Sequence, residues 1–334
     1  MATRLVSRIR NAFEASDFFV PAIHTLTQNR IYQKLIYNKA LKKITKVEKE
    51  KRFGLALEVS SFCNARCIFC PNKKMVRKKS VMNMVIFKTL LERLKKEGIR
   101  LSYVNLTGTG EPLTDKTLFE KIRLLKLYFP DVYIFMPTNF ALATEEMIKK
   151  ILESDLDRVT ISLNANRADE YKTIMGLNFK RTLKNIDNLI KWKNRLKKGL
   201  SIMVTIAASR INKVSVNDFV RKWEARVDAV AVNWVHTWAG AVGEVGNSYR
   251  WARRYPCKTL FEQIVVQSNG DVVMCCVDYE GKVVGGNVMK NKILDAFLAG
   301  RIGIIKKLHK DCRVSDIKMC SQCRFSERGT DWLV

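Results

Sequence analysis

The sequence predicts an α/β protein: a partial (β/α)6 TIM-like barrel with a helical N-terminal extension and a small C-terminal module. Two observations support this fold class. Short apolar runs alternate with longer amphipathic stretches between residues 53 and 240, and cysteines recur beside a hairpin pattern after residue 241. Helical connections between strands indicate a parallel sheet, because parallel strands need a crossover that usually contains a helix.

The predicted strands cover residues 55–59, 101–106, 132–136, 158–163, 202–207 and 227–234. Amphipathic patterns between them predict helices at residues 85–96, 118–127, 144–153, 181–196 and 216–225. In the C-terminal module, runs at 264–266 and 272–274 flank Asn269 and Gly270 and predict a β-hairpin, followed by helices at 293–299 and 303–309. Such a barrel places its active site at the carboxyl ends of the strands.

Composition limits the class of protein. The chain has 334 residues, of which 47% are hydrophobic and nine are cysteines. No apolar stretch reaches the roughly 18 residues that a membrane-spanning helix needs, and the N-terminus lacks the apolar core of a secretion signal. We therefore expect a cytoplasmic protein whose cysteines serve metal or redox chemistry rather than disulfides.

The net charge of +28 predicts an anionic partner, although a lysine-rich solvated surface explains it equally well. Residues 1–52 form a basic helical extension without strand patterns. Apolar side chains mark one face of each of two helices: Leu5, Val6, Ile9 and Phe13, then Ile31, Leu35 and Ile36. Such helices either lie on a membrane surface or pack against the following domain, and packing is the more frequent outcome.

Three cysteines lie on one short loop directly after the first predicted strand: Cys63, Cys67 and Cys70. Thiolates are soft ligands that suit iron–sulfur clusters and zinc. Three ligands without a nearby fourth leave a coordination position open, as in catalytic metal sites. A structural zinc site is the alternative, although zinc ligands usually come as paired knuckles and no second pair lies close by.

This spacing, at the start of a β/α repeat, resembles the signature of the radical S-adenosylmethionine (radical SAM) superfamily. The resemblance implies a 4Fe-4S cluster whose open iron binds the methionyl moiety of S-adenosylmethionine. It also implies reductive cleavage of that cofactor to a 5′-deoxyadenosyl radical, which abstracts hydrogen from a substrate. Phe69 matches the aromatic position where family members pack the adenine.

The resemblance extends to a second motif after the second predicted strand: Gly108, Thr109, Gly110, Glu111 and Pro112. This segment is similar to the family's GGEP segment, with Thr109 in place of the more usual glycine. Glycines let backbone carbonyls approach a ligand closely, and the resemblance implies that these carbonyls and Glu111 bind the ammonium of the cofactor. Asn139, beside Thr138, and Ser162 match positions that contact ribose or carboxylate, although strand ends are often polar for capping alone.

Four later cysteines resemble the auxiliary-cluster module called SPASM in its shortened twitch form: Cys257, Cys275, Cys320 and Cys323. Their spacing is similar to that of single-cluster members such as 2-deoxy-scyllo-inosamine dehydrogenase. The resemblance implies one fully ligated auxiliary 4Fe-4S cluster, which transfers electrons or stabilises the fold. A structural zinc site made of two cysteine pairs is the alternative.

Further candidates have two interpretations each. Two cysteines, Cys276 and Cys312, are not in either ligand set. A spare cysteine is most often a small buried hydrophobe, and the alternative is a thiol that returns hydrogen to a substrate radical. Cys312 is the preferred candidate for that role, because Cys276 adjoins a ligand and is expected to point the other way along its strand. His236 either faces the substrate or is hydrogen-bonded at a strand end. Glu58 is either a base or hydroxyl anchor or the buried partner of an arginine. His309 is expected to be structural or exposed.

The predicted domains are the extension (1–52), the radical SAM barrel (53–240) and the SPASM/twitch module (241–334). The predicted reaction oxidises or epimerises a sugar-like or cyclitol-like alcohol, phosphorylated or lipid-linked. Peptide modification is one alternative, and a zinc protein that binds nucleic acid is an alternative of another class. The predicted partners are an anionic small molecule or glycan, an electron donor such as flavodoxin or ferredoxin, and the inner membrane surface; nucleic acid is not favoured.

Overall fold

The computed structural model describes residues 29–196, 199–243 and 255–323. Its strands are β1 (Arg52–Leu57), β2 (Arg100–Asn105), β3 (Tyr133–Thr138), β4 (Arg158–Ser162), β5 (Ser201–Ala208), β6 (Ala229–Trp234), β7 (Gln263–Val266), β8 (Asp271–Val273) and β9 (Val284–Asn287). Its helices are α1 (Arg30–Glu50), α2 (Met84–Lys96), α3 (Leu118–Tyr128), α4 (Glu145–Glu153), α5 (Ala168–Met175), α6 (Phe179–Leu196), α7 (Val216–Glu224), α8 (Lys258–Glu262), α9 (Ile293–Leu298), α10 (Gly300–Lys310) and α11 (Lys318–Ser321).

All strands belong to one sheet, in the order β6-β5-β4-β3-β2-β1-β7-β8-β9. The strands β1 to β6 pair in parallel, as the strand–helix alternation predicts. The hairpin β7–β8 is also confirmed, and its turn includes Gly270 at a φ of 87°, in the left-handed region that favours glycine. The sequence did not predict that β7 pairs in parallel with β1, so the module continues the barrel sheet.

Four helices and strands are absent from the sequence prediction, and one of them is α11, which has only 4 residues. The helices α5 and α8 are short, with 8 and 5 residues, and offer little periodicity. The strand β9 contains Gly285 and Gly286, which have low β-propensity. A Cβ atom at Gly285 would lie 1.9 Å from the Ala296 carbonyl oxygen, so close packing explains this glycine.

The two faces of the parallel sheet differ in chemistry. One face is apolar and fully buried against the helices, with Leu55, Val104, Ile134 and Val159 at 0% exposure. The opposite, concave face is only partly buried, because side chains alternate between faces along each strand.

The helix α1 confirms the helical part of the N-terminal extension that the structure describes. Ile36, Ala40 and Ile44 are buried in a cluster with Phe261 of α8. The predicted apolar face was partly wrong, because Ile31 and Leu35 are exposed. The predicted helix around Leu5, Val6, Ile9 and Phe13 lies outside the described residues, and contact with a membrane surface stays a prediction. Within the described ranges, no helix is both long and apolar enough to cross a membrane.

Candidate active site

The three-cysteine loop follows β1, at the carboxyl end of the sheet. Cys63, Cys67 and Cys70 are half-buried, and none of them is in a disulfide. The backbone N–H of Ala65 donates to the Cys63 sulfur at 3.4 Å. The Cys67 sulfur lies 3.3 Å from that of Met175, the last residue of α5.

Burial and mutual interaction change the acidity of the thiols in this loop. Burial is the main cause that raises the pKa of Cys63 to about 11. Burial, followed by the thiols of Cys70 and Cys63, also raises the pKa of Cys67. The thiols are therefore close enough to interact, and they hold their protons at neutral pH unless a metal replaces them.

The described residues do not form a site for a single metal ion. Among the described residues, no three His, Cys, Asp or Glu side chains converge on a position for one metal ion. An iron–sulfur cubane distributes its thiolates over separate irons and does not need this convergence. The three thiols are therefore compatible with the predicted cluster, and zinc stays the alternative at this loop.

Glu111 is a buried carboxylate that joins the ends of β2 and β3. It accepts hydrogen bonds from the Thr138 hydroxyl at 2.6 Å and from the backbone N–H groups of Asn139 at 2.7 Å and Leu113 at 3.2 Å. Burial raises its pKa, and these three donors act in the opposite direction. The binding of the cofactor's ammonium group by Glu111 stays a prediction.

The two glycines of the second motif are required by protein contacts. A Cβ atom at Gly110 would lie 2.0 Å from the Ser60 carbonyl oxygen, and one at Gly108 would lie 2.5 Å from Glu58 Cγ. The loop after β2 therefore packs directly against the segment after β1. Thr109 is buried with its hydroxyl 3.5 Å from the Glu58 carboxylate, and Pro112 begins a 3₁₀ turn.

Asn139 lies beside the cysteine loop. Its side-chain amide donates to Asn64 Oδ1 at 2.9 Å and lies 3.9 Å from the Cys63 sulfur. Ser162 is half-buried at the end of β4 on the concave face. Both positions are compatible with cofactor contact, and their roles stay predictions.

Trp238, in the loop after β6, contacts both His236 and Phe69. The Trp238 indole donates to the Phe69 carbonyl oxygen at 2.9 Å, and its ring lies 4.7 Å from the imidazole of His236. His236 Nδ1 accepts from the Trp238 backbone N–H at 3.2 Å, and burial lowers the pKa of His236 to about 4. His236 is therefore neutral and hydrogen-bonded near the strand end, the second of its two interpretations.

Glu58 follows β1 and is the buried partner of an arginine, the second of its two interpretations. Its carboxylate forms an ion pair with Arg77 at 2.9 Å and accepts from the Ser268 hydroxyl at 3.0 Å. Arg77 also donates to the Tyr279 carbonyl oxygen, while Glu280 accepts from the Arg77 backbone N–H. A carboxylate held in this way is a poor candidate for the predicted catalytic base, because its lone pairs are occupied. It ties the loop that follows the cysteines to the C-terminal module.

The later cysteines surround a cavity at the carboxyl end of β8 and beside α10 and α11. Its empty space is about 400 Å³, open in part to solvent, and its lining includes Cys257, Cys275, Cys320 and Cys323. Burial raises the pKa of Cys275, and all three other thiols contribute to the increase. The four predicted ligands therefore lie close together around one cavity.

The two spare cysteines are placed differently from the sequence prediction. Cys276 lines the same cavity rather than pointing the other way, because β8 ends at Val273 and strand alternation no longer applies. Its thiol also influences the pKa of Tyr103 on β2, across the concave face. Cys312 is exposed in a left-handed turn after α10. After burial, its thiol contributes to the raised pKa of Tyr37 of α1. This location does not favour the predicted hydrogen-donor role of Cys312.

The concave face contains polar residues that the sequence analysis missed. Asn105, Phe135 and Arg158 occupy one row across β2, β3 and β4. Asn105 Oδ1 and Arg158 Nε are buried and have no hydrogen-bond partner among the described residues. The Arg158 guanidinium lies 5.3 Å from the ring centre of Tyr133. The available signal was a polar residue at an inward-facing position near one end of each strand, Asn105 at the end of β2 and Arg158 at the start of β4.

Comparisons with known proteins agree with this arrangement. A sequence profile of the radical SAM superfamily matches residues 57–206, and a profile of the SPASM iron–sulfur cluster-binding domain matches residues 257–324. The chain is 29% identical over 159 residues to a probable GTP 3′,8-cyclase of Thermococcus kodakarensis, covering 46% of this chain and 50% of the relative. The chain is also 29% identical over 140 residues to the GTP 3′,8-cyclase of Campylobacter lari, covering 41% of this chain and 42% of the relative. The chain thus spans half or less of the length of these relatives.

Solved structures share the fold at low identity. BtrN in complex with AdoMet and 2-DOIA has a TM-score of 0.57 and 19% identity, covering 81% of this chain and 92% of BtrN. SuiB of Streptococcus suis, bound to the precursor peptide SuiA, has a TM-score of 0.60 and 15% identity, with 78% and 69% covered. The two matched domains imply a SAM-binding 4Fe-4S cluster and an auxiliary iron–sulfur cluster. The chain belongs to the radical SAM superfamily and has a C-terminal domain of the SPASM/twitch class.

Proposed function

We propose that this radical SAM enzyme oxidises or epimerises an alcohol carbon of a phosphorylated sugar-like or cyclitol-like small molecule. The bound cluster and S-adenosylmethionine supply the organic radical that removes hydrogen from the substrate. An acidic one-electron carrier such as flavodoxin or ferredoxin is the proposed reductant. The observation that supports the substrate class is the row of polar side chains on the concave face.

Arg158 and Asn105 are the proposed substrate-binding residues of this row. A guanidinium presents planar N–H groups that match phosphate oxygens. The unpaired Asn105 Oδ1 is suited to accept a hydrogen bond from a hydroxyl group. Tyr133 holds the guanidinium in place through its ring. Together, these side chains favour a ligand that has both a phosphate and a hydroxyl.

The substrate class is also compatible with the relatives. The curated relatives are named for GTP, which combines a ribose with phosphates. A positive net charge of +28 attracts such anions from solution. The proposal therefore places the phosphate toward Arg158, the first residue of β4, and the sugar ring nearer the carboxyl ends of the strands, where the cysteine loop lies.

Cofactor cleavage with matched compounds tests the substrate class. Reconstituted enzyme, S-adenosylmethionine and a reductant are incubated anaerobically with GTP or guanosine, with inositol phosphate or inositol, and with a mixed peptide pool. We expect 5′-deoxyadenosine formation above the substrate-free rate only with a phosphorylated compound. Replacing Arg158 by Gln should raise KM for that compound more than it lowers kcat. Equal stimulation by the dephosphorylated partners, or stimulation by peptides alone, would contradict the proposal.

The position of the Cys276 thiol at the auxiliary cavity leads to a second prediction, which concerns the fate of the substrate radical. If the reaction is an epimerisation, Cys276 returns the hydrogen, because its thiol lies at the cavity and near Tyr103 on the concave face. Product formed in heavy water should then contain deuterium, and Cys276→Ala should abolish its formation while Cys312→Ala leaves it unchanged. Product without deuterium that forms equally well with Cys276→Ala indicates oxidation instead, with the electron passing to the auxiliary site.

A further inference from the structure

We infer that His309 is a positioning residue of the auxiliary site: it donates a hydrogen bond to the Cys320 sulfur and makes the cluster held there easier to reduce. The inference rests on the proposed ligand set of Cys257, Cys275, Cys320 and Cys323. The sequence predicts a structural or exposed histidine at this position, which lies eleven residues before Cys320 in the chain.

The position of His309 is fixed from several sides. It lies on α10 and is fully buried, with 0% of its surface exposed. Its ring packs edge to face against Phe261, with 6.5 Å between ring centres. It also lines the cavity that the four cysteines surround. A side chain confined in this way presents its two ring nitrogens in fixed directions.

The hydrogen bonds of the ring determine its tautomer. The backbone N–H of Cys257 points at His309 Nδ1, at 3.3 Å. Nδ1 must therefore be the acceptor without a proton, and in the neutral ring Nε2 then has the hydrogen. Nε2 lies 3.4 Å from the Cys320 sulfur, so its N–H is directed at that thiolate. One imidazole thus connects the backbone of the first predicted ligand to the sulfur of the third.

A donor at a ligand sulfur changes the redox balance of a cluster. Reduction adds one negative charge, which is shared with the thiolate ligands, so an N–H···S bond stabilises the reduced form more than the oxidised form. Hydrogen bonds to sulfur are among the factors that set cluster potentials. In an oxidation, the substrate radical loses its hydroxyl proton and one electron as the C=O bond forms. A higher potential at the auxiliary site favours the transfer of that electron from the substrate to the cluster.

Potentiometric titration of the complete enzyme tests this role. Anaerobically purified protein is titrated while cluster reduction is followed by electron paramagnetic resonance, and the signal that S-adenosylmethionine leaves unchanged is assigned to the auxiliary cluster. His309→Phe removes the donor but keeps the ring volume. His309→Gln keeps an N–H group. Lys307→Ala removes an exposed positive charge from the same helix and serves as the control.

We expect His309→Phe to keep the full iron content and to shift the auxiliary potential to a more negative value. His309→Gln should shift it less, and Lys307→Ala should leave it unchanged. An unshifted potential in His309→Phe would overturn the role, and so would the loss of about four irons per chain, because it would make His309 necessary for holding the cluster. Wild-type protein with only about four irons would instead overturn the auxiliary ligand set itself.

Discussion

Replacing Cys63, Cys67 and Cys70 together by alanine is expected to abolish 5′-deoxyadenosine formation and to lower the iron content from about eight to about four atoms per chain. The three thiols lie on one half-buried loop after β1 and are close enough to influence each other's ionisation. Iron and sulfide assays, with chromatography of the cleavage product, measure both effects.

The reciprocal variant is the control for this experiment. Replacing Cys320 and Cys323 by alanine should also remove about four irons, but from the auxiliary cavity, and should leave S-adenosylmethionine binding in place. Two variants that each lose half of the iron would establish two separate clusters. Wild-type protein that is colourless and contains zinc would restore the zinc alternative, and a triple variant that retains all its iron would contradict the assignment of the loop.

Replacing Gly110 by alanine is expected to weaken S-adenosylmethionine binding about tenfold or more and to destabilise the fold. The added Cβ would lie 2.0 Å from the Ser60 carbonyl oxygen and 2.8 Å from Ser61 Cα, and neither backbone atom can rotate away. Overpacking of this kind costs about 1–3 kcal/mol. The strain falls beside Glu111, whose buried carboxylate is the proposed partner of the ammonium group. Anaerobic calorimetry and thermal denaturation measure the two effects.

Gly199 provides a matched control, since a Cβ atom there would meet nothing within 4 Å. Gly199→Ala makes the same chemical change on the same chain and should preserve both binding and stability. A Gly110→Ala protein that binds S-adenosylmethionine as tightly as Gly199→Ala would show that the contact between the two loops is not needed for the cofactor site.

The sequence was sufficient for the elements with strong local signals. The six barrel strands, their longer helices and the β7–β8 hairpin follow from periodicity and from turn residues such as Gly270. The cysteine loop, the glycine-rich motif and the SPASM cysteines follow from spacing. For the strands, helices, hairpin and cysteine loop the information lies within a few neighbouring residues, whereas the later cysteines form a spacing pattern that extends from Cys257 to Cys323.

Contacts between distant segments could not be predicted in this way. Glu58 meets Arg77 and Ser268, and the second partner is 210 residues away along the chain. His309 meets Cys257 from 52 residues away. The inward direction of Cys276 depends on where β8 ends, which local propensity does not fix. The role of each of these residues therefore depends on neighbours that are distant in the sequence.

The continuation of the barrel sheet into the module also protects the protein against misassembly. An unpaired edge strand offers a row of backbone N–H and C=O groups to any other chain and is a template for aggregation. Because β7 pairs with β1, the strand that leads into the cysteine loop has no such edge. The edge on that side of the sheet is β9 instead, where Gly285 packs against the backbone of α9. A chain that ended before Cys257 would therefore expose the side of β1 that now pairs with β7, and would present the strand nearest the catalytic cysteines to other unfolded chains.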